Sequence, residues 1–175
     1  MNLTEVKEKQ IRERVLAAMP AELSLHKLTF FHSRGNTRIV IELDKLSDPY
    51  GSVNIGECEG FSRALRTALD ELERETAIDL NYSLEVSSAG AERELGSLAE
   101  VQRFSALPLQ ATFNNAGKVL TEVLRVNRID GETLECALAD CRVNRKKFGP
   151  AKLRKQIPFS IAWRDIKKIR LHLDI

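Results

Sequence analysis

The chain has no long hydrophobic run; its apolar stretches break after a few residues, far short of the roughly 20 needed to span a bilayer. The charged opening MNLTEVKEKQIRERV lacks the basic-then-apolar order of a secretory signal, so a cytoplasmic protein without a membrane partner is expected. Cysteine is scarce and unpaired. Cys58, Cys136 and Cys141 form an odd set without C-x-x-C spacing, and His26 and His32 lie far from them in sequence. That pattern argues against a disulfide framework or a zinc site and leaves free thiols packing as small hydrophobes in a reducing compartment. A G-x-x-x-x-G-K loop is missing too, so no apparatus for nucleotide hydrolysis is visible, and neither a metal nor a cofactor is expected.

Acid is what the carboxyl-terminal stretch lacks. Residues 142–175 hold 11 Lys+Arg against 2 Asp+Glu, a net of +9, whereas residues 1–141 hold 16 against 23, a net of −7. Such a division points to an anionic partner for the carboxyl-terminal end. The charge is densest in Arg142, Arg145, Lys146, Lys147, Lys152, Arg154 and Lys155, seven cations in fourteen residues with no acid between them. Cations at that density neutralise phosphates and release condensed counterions, and Gly149-Pro150 marks a bend from which a loop would present them. RNA contact is the functional reading, and a solvated charge run is the plain alternative. Phe148 within the run is placed either to stack on a base or to close the loop's own small core.

The rest of the chain carries regular patterns. Asn2-Leu3-Thr4-Glu5 has the form of a capping box, and Val6, Ile11, Val15, Leu16 and Met19 follow near helical spacing up to Pro20. Leu25 to Phe31 and Arg38 to Leu43 are β-rich runs around Ser33-Arg34-Gly35-Asn36-Thr37, which reads as a hairpin. Asn54-Ile55-Gly56-Glu57 offers a second capping box, and Cys58, Phe61, Leu65, Ala68, Leu69 and Leu72 make one apolar stripe. Tyr82, Leu84 and Val86 then alternate with polar residues as a third strand. Ser97-Leu98-Ala99-Glu100 opens a short helix ending near Phe104. Beyond Pro108 the runs Leu109 to Phe113, Lys118 to Val126, Thr133 to Ala139, Gln156 to Ile161 and Lys168 to Leu173 are all β-rich, and five short strands in so few residues suggest a small closed barrel. An α+β chain is therefore expected: two helices on a three-stranded sheet over residues 1–90, a linker with a short helix over 91–107, and a barrel over 108–175.

The segment Tyr82-Ser83-Leu84-Glu85-Val86-Ser87-Ser88-Ala89-Gly90-Ala91-Glu92-Arg93-Glu94-Leu95 resembles the signature of the RimP family of bacterial ribosome maturation factors, roughly Y-x-L-E-V-S-S-P-G-[LI]-[DE]-R-P-L. Gly51-Ser52-Val53, Cys58 and Ser62 upstream, and Ile157-Pro158-Phe159 and Ile166 to Leu171 downstream, fall in the family's order. The resemblance implies an SH3-like carboxyl-terminal barrel and transient, non-catalytic binding to the immature small ribosomal subunit by a monomer. It also implies a link to small-subunit ribosomal protein number twelve through the barrel. Ala89 and Glu94 stand where the family usually has prolines, which is expected to loosen the connection between the domains.

Ser87, Ser88, Gly90 and Arg93 form the candidate interdomain or docking motif, with Arg93 pinning a carboxylate or touching the ribosome. A hydrolase using Ser87 is the enzymatic alternative, but G-x-S-x-G is absent and no histidine lies nearby in sequence, so no catalytic residue is assigned. Glu57, Glu59, Asp70, Glu71, Glu73 and Glu75 fall mostly off the second helix's apolar stripe and read as a solvated face. Trp163 reads as a core residue that closes the barrel. A general RNA-binding barrel with an appended dimerisation domain is the remaining alternative.

Overall fold

The computed structural model describes residues 3–33, 35–90, 93–154 and 157–173, and the side chains of Leu3 and Arg154 are not among what it describes. The chain divides into two compact units, Met1–Gly90 and Ala91–Ile175. In the first, α1 (Leu3–Ala17), β1 (Leu23–Ser33), β2 (Asn36–Lys45), α2 (Ile55–Thr76) and β3 (Tyr82–Ser88) follow in order. The sheet order is β1-β2-β3. β1 and β2 form the antiparallel hairpin, whereas β3 runs parallel to β2, with Ile39 opposite Leu84 and Ile41 opposite Val86. A parallel pair needs a long crossover, and α2 supplies it.

The capping box that opens α2 is complete: Asn54 accepts from the Glu57 N–H while the Glu57 carboxylate accepts from the Asn54 N–H. Phe61, Leu65, Leu69 and Leu72 of the helix are buried in one core with Ile39, Ile41 and Leu43 of β2 and Ile11 and Val15 of α1. On α1 the apolar spacing overstates the buried face, since Leu16 is exposed. Asn2, the expected cap of α1, lies outside the described residues.

In the second unit, α3 (Leu98–Arg103) precedes β4 (Leu109–Asn115), β5 (Lys118–Asp130) and β6 (Thr133–Leu138), then two short helices, α4 (Arg142–Phe148) and α5 (Pro150–Arg154), then β7 (Phe159–Ala162) and β8 (Ile166–Leu171). The strands make one five-stranded antiparallel sheet in the order β7-β6-β5-β4-β8. Its core includes Leu109, Ala111, Phe113, Leu124, Leu134, Cys136, Ile161 and Ile169, and Leu95, Val101 and Phe104 from the segment before β4 belong to the same cluster.

The closed barrel expected from strand number is not found: among the described residues no ladder joins β7 to β8. The two end strands are instead linked by a single 3-10 turn, Trp163–Asp165. Four residue steps reach at most about 14 Å, whereas the ends of a flat five-stranded sheet lie about 19 Å apart. The sheet is therefore curled so that its ends approach, and Trp163 packs against the core at that corner.

The basic stretch is the second correction, for it is helical rather than a loop. Lys and Arg are good helix formers, Gly149 breaks the run at φ 78, and Pro150 restarts it at the first position of α5, where its missing N–H matters least. All three thiols are free, with Cys136 and Cys141 buried, and burial pushes the Cys136 thiol up to about 12. Among the described residues no helix is long and apolar enough to cross a membrane, and no cluster of three or more His, Cys, Asp or Glu side chains is placed to hold a metal ion.

Candidate nucleic-acid interface

α4 is fastened to the sheet by a residue that the charge run hides. Asn144, 1% exposed, donates its amide N–H groups to the carbonyls of Val123 at 2.7 Å and Ala139 at 2.8 Å. Val123, Ala139 and Cys141 form a small buried apolar cluster beside it, and Leu153 buries the far end of α5. A buried amide that satisfies its donors on two different segments fixes both the position and the rotation of a seven-residue helix too short to be stable alone. Each carbonyl keeps a second donor, the Ala139 N–H at 2.9 Å and the Cys141 N–H at 3.0 Å. Asn144→Ala should therefore lower stability by about 1–3 kcal/mol, and Asn144→Asp should lower it further, because it turns a donor into a buried charge facing two carbonyl oxygens. Denaturant unfolding of the full chain measures both, and an Asp variant as stable as wild type would contradict the anchoring role.

That anchoring sets where the cations go. Arg145, next to Asn144, places its Nε 2.7 Å from Asp140 Oδ1, and Lys147, one turn on, places its Nζ 2.7 Å from Glu122 Oε1. The acids absent from the stretch itself are thus brought to it by the chain neighbours of Ala139 and Val123. Lys146 and Lys152 are exposed and form no ion pair among the described residues, and Arg142 is exposed as well. Lys147 Nζ and Lys152 Nζ lie 5.0 and 5.2 Å from the centre of the half-buried Phe148 ring, so ammonium groups already engage that ring. The Arg154 side chain and all of Lys155 lie outside the described residues.

The signature motif is divided between the units. Ser87, Ser88 and Gly90 belong to the first and Arg93 to the second. Ser88 Oγ accepts from the Val53 N–H at 3.1 Å and the Gly90 N–H at 3.3 Å, and Gly90 adopts φ 77, the left-handed conformation that glycine takes without strain. The Ala89 N–H donates to the Leu43 carbonyl at 2.8 Å, a bond that the family's usual proline lacks the donor to make. Ser87 lines an open groove of about 690 Å³ beside Val53, Cys58, Ser62 and Val86, and none of the residues lining it is a histidine.

Arg93 is interior. Its side chain is 1% exposed, with Nη2 3.0 Å from Glu100 Oε1, and the guanidinium carbon sits 4.9 Å from the centre of the Phe104 ring. Glu100 also accepts from the Gly96 N–H at 2.7 Å, while its own N–H is capped by Ser97 Oγ at 3.3 Å. One carboxylate thereby ties Arg93 to the start of α3.

Three of the acids of α2 have structural partners. Glu57 closes the capping box and pairs with Lys45, and that hydrogen bond holds its carboxyl below the usual range. Glu73 accepts from the Leu80 N–H at 2.7 Å, and Glu75 pairs with Arg14.

Comparison with known proteins places this arrangement. A family model described as the RimP N-terminal domain matches residues 13–92. The chain is 32% identical over 169 residues to the ribosome maturation factor RimP of Leptospira biflexa serovar Patoc, an alignment covering 96% of this chain and 98% of the relative. It is 38% identical over 114 residues to the protein of that name from Leptospira interrogans serogroup Icterohaemorrhagiae, covering 64% and 68%. It is 42% identical over 62 residues to that of Microcystis aeruginosa, covering 35% and 38%.

Proposed function

The chain belongs to the RimP family of ribosome maturation factors, and from that premise we propose that it is a non-catalytic assembly factor that binds the immature small ribosomal subunit through its basic carboxyl-terminal surface. The observation that carries the proposal is the cationic pair of helices α4 and α5, held on the sheet by Asn144 and presenting Arg142, Arg145, Lys146 and Lys152 to solvent. Lys147, Arg154 and Lys155 complete the proposed surface. Side chains of this kind bind backbone phosphate with little dependence on sequence. Specificity for a precursor then comes from a second contact, for which a small-subunit ribosomal protein, number twelve, is the proposed partner.

In this reading the two units act as separate domains in a cytoplasmic monomer, with Ser87, Ser88 and Gly90 shaping the end of the first. The second is an SH3-like module whose curled sheet presents the basic helices. The net −7 of residues 1–141 limits nonspecific adhesion to polyanions. Binding energy holds ribosomal RNA or protein in an arrangement from which assembly proceeds, and no bond is made or broken. Depleting the protein from cells that encode it should raise the share of small subunits carrying unprocessed ribosomal RNA, and re-expression should reverse the change. An unaltered share in depleted cells would overturn the proposal.

A further inference from the structure

Resting on the RNA-binding reading above, we infer that Glu122 is a specificity-determining residue of the basic surface: it withholds Lys147 from generic phosphate, so that the surface binds RNA less avidly than its charge density would allow. The two ion pairs on α4 differ in kind. Asp140 is 63% exposed and Arg145 53% exposed, so either partner exchanges its contact for water or phosphate at little cost. Glu122 is only 11% exposed. Its Oε1 holds the Lys147 ammonium at 2.7 Å, and its Oε2 is buried without a hydrogen-bond partner among the described residues. A phosphate that drew Lys147 away would leave a nearly buried carboxylate without its counter-charge, which is far more costly than breaking an exposed pair. It would also bring a second anion up to the first.

The geometry keeps Lys147 where it is from two further directions. Asn144, one turn earlier, bonds to Val123, the residue after Glu122, so the helix cannot rotate away from the carboxylate without breaking a buried hydrogen bond. The Phe148 ring, 5.0 Å from Lys147 Nζ, adds a cation–π contact. Generic RNA is then met by the cations that no nearly buried carboxylate holds, Lys146 and Lys152 among them.

The test is a titration of the full-length protein with oligouridine at several salt concentrations, comparing wild type, Glu122→Gln and the double variant Glu122→Gln/Lys147→Gln. Each phosphate contact on a single strand contributes about 0.7 to the slope of log affinity against log salt. Glu122→Gln should bind more tightly than wild type, with a slope steeper by about 0.7. The double variant should return to the wild-type slope, which separates release of Lys147 from any change in folding. A Glu122→Gln slope equal to wild type, in a protein whose slope still flattens when Lys146 and Lys152 are neutralised, would overturn the role of Glu122 and leave the RNA reading standing. Slopes insensitive to every one of these changes would remove the RNA reading and this inference with it.

Discussion

Replacing Arg93 by alanine should lower the free energy of unfolding by about 2–4 kcal/mol, a loss large enough to account by itself for a defect in subunit maturation. Breaking a buried ion pair by removing one partner costs about 3–5 kcal/mol because the other charge is left behind. Here the survivor, Glu100, is 26% exposed and partly hydrated, which discounts the cost to about 2–4 kcal/mol. The Phe104 ring loses one of its two guanidinium contacts and keeps that of Arg103 at 4.5 Å, and α3 loses the clamp that holds Glu100 against the Gly96 N–H. The signature position alone suggests a joint or docking role, and of the two a side chain 1% exposed supports the carboxylate pin. Unfolding in denaturant and a maturation assay run on the same variant separate the two: failed maturation with wild-type stability would mean that Arg93 acts as a docking contact.

Neutralising Arg145, Lys146, Lys152, Arg154 and Lys155 together should weaken association with purified small-subunit precursors and flatten its salt dependence by about two to three units. That figure follows if the five residues supply three phosphate contacts at about 0.7 to 0.9 each. Lys147 is left in place because Glu122 depends on it. Core packing should survive, since Arg145, Lys146 and Lys152 are exposed and surface substitutions usually change stability by less than about 0.5 kcal/mol. Titration of both proteins over a range of salt gives the two slopes. Parallel slopes would show that the helices are merely a solvated face and would move the binding role elsewhere on the chain.

Much of the fold was legible because its signals were local and agreed with one another. At α2 a capping box and an apolar stripe coincide, and both appear as read. The hairpin and third strand follow from period-two alternation around turn residues, with Gly35 at φ 85 beside the tip. The basic stretch misled for a physical reason: charge density describes the outside of an element and says little about its backbone. Asn144, the residue that decides its placement, is a single uncharged side chain among cations, and its partners are carbonyls 21 and 5 residues away. Glu122 and Asp140 were missed because acids in space were not acids in sequence. Asn144, the third of the seven residues of α4 and poor for a helix interior, was the available hint that something there needed a buried amide. Strand counting suggested closure of the sheet, whereas among the described residues the chain passes between the two end strands at the corner Trp163–Asp165 without a ladder.

Sedimentation of extract from cells expressing the protein at native level tests most directly whether it acts on the small subunit during assembly. On a sucrose gradient the protein should migrate with free small subunits and their precursors and be missing from translating ribosomes, and the variant neutralised at Arg145, Lys146, Lys152, Arg154 and Lys155 should shift toward the top. Wild-type protein that stays at the top of the gradient, or that spreads evenly over all ribosomal fractions, would contradict a role as an assembly factor for the immature small subunit.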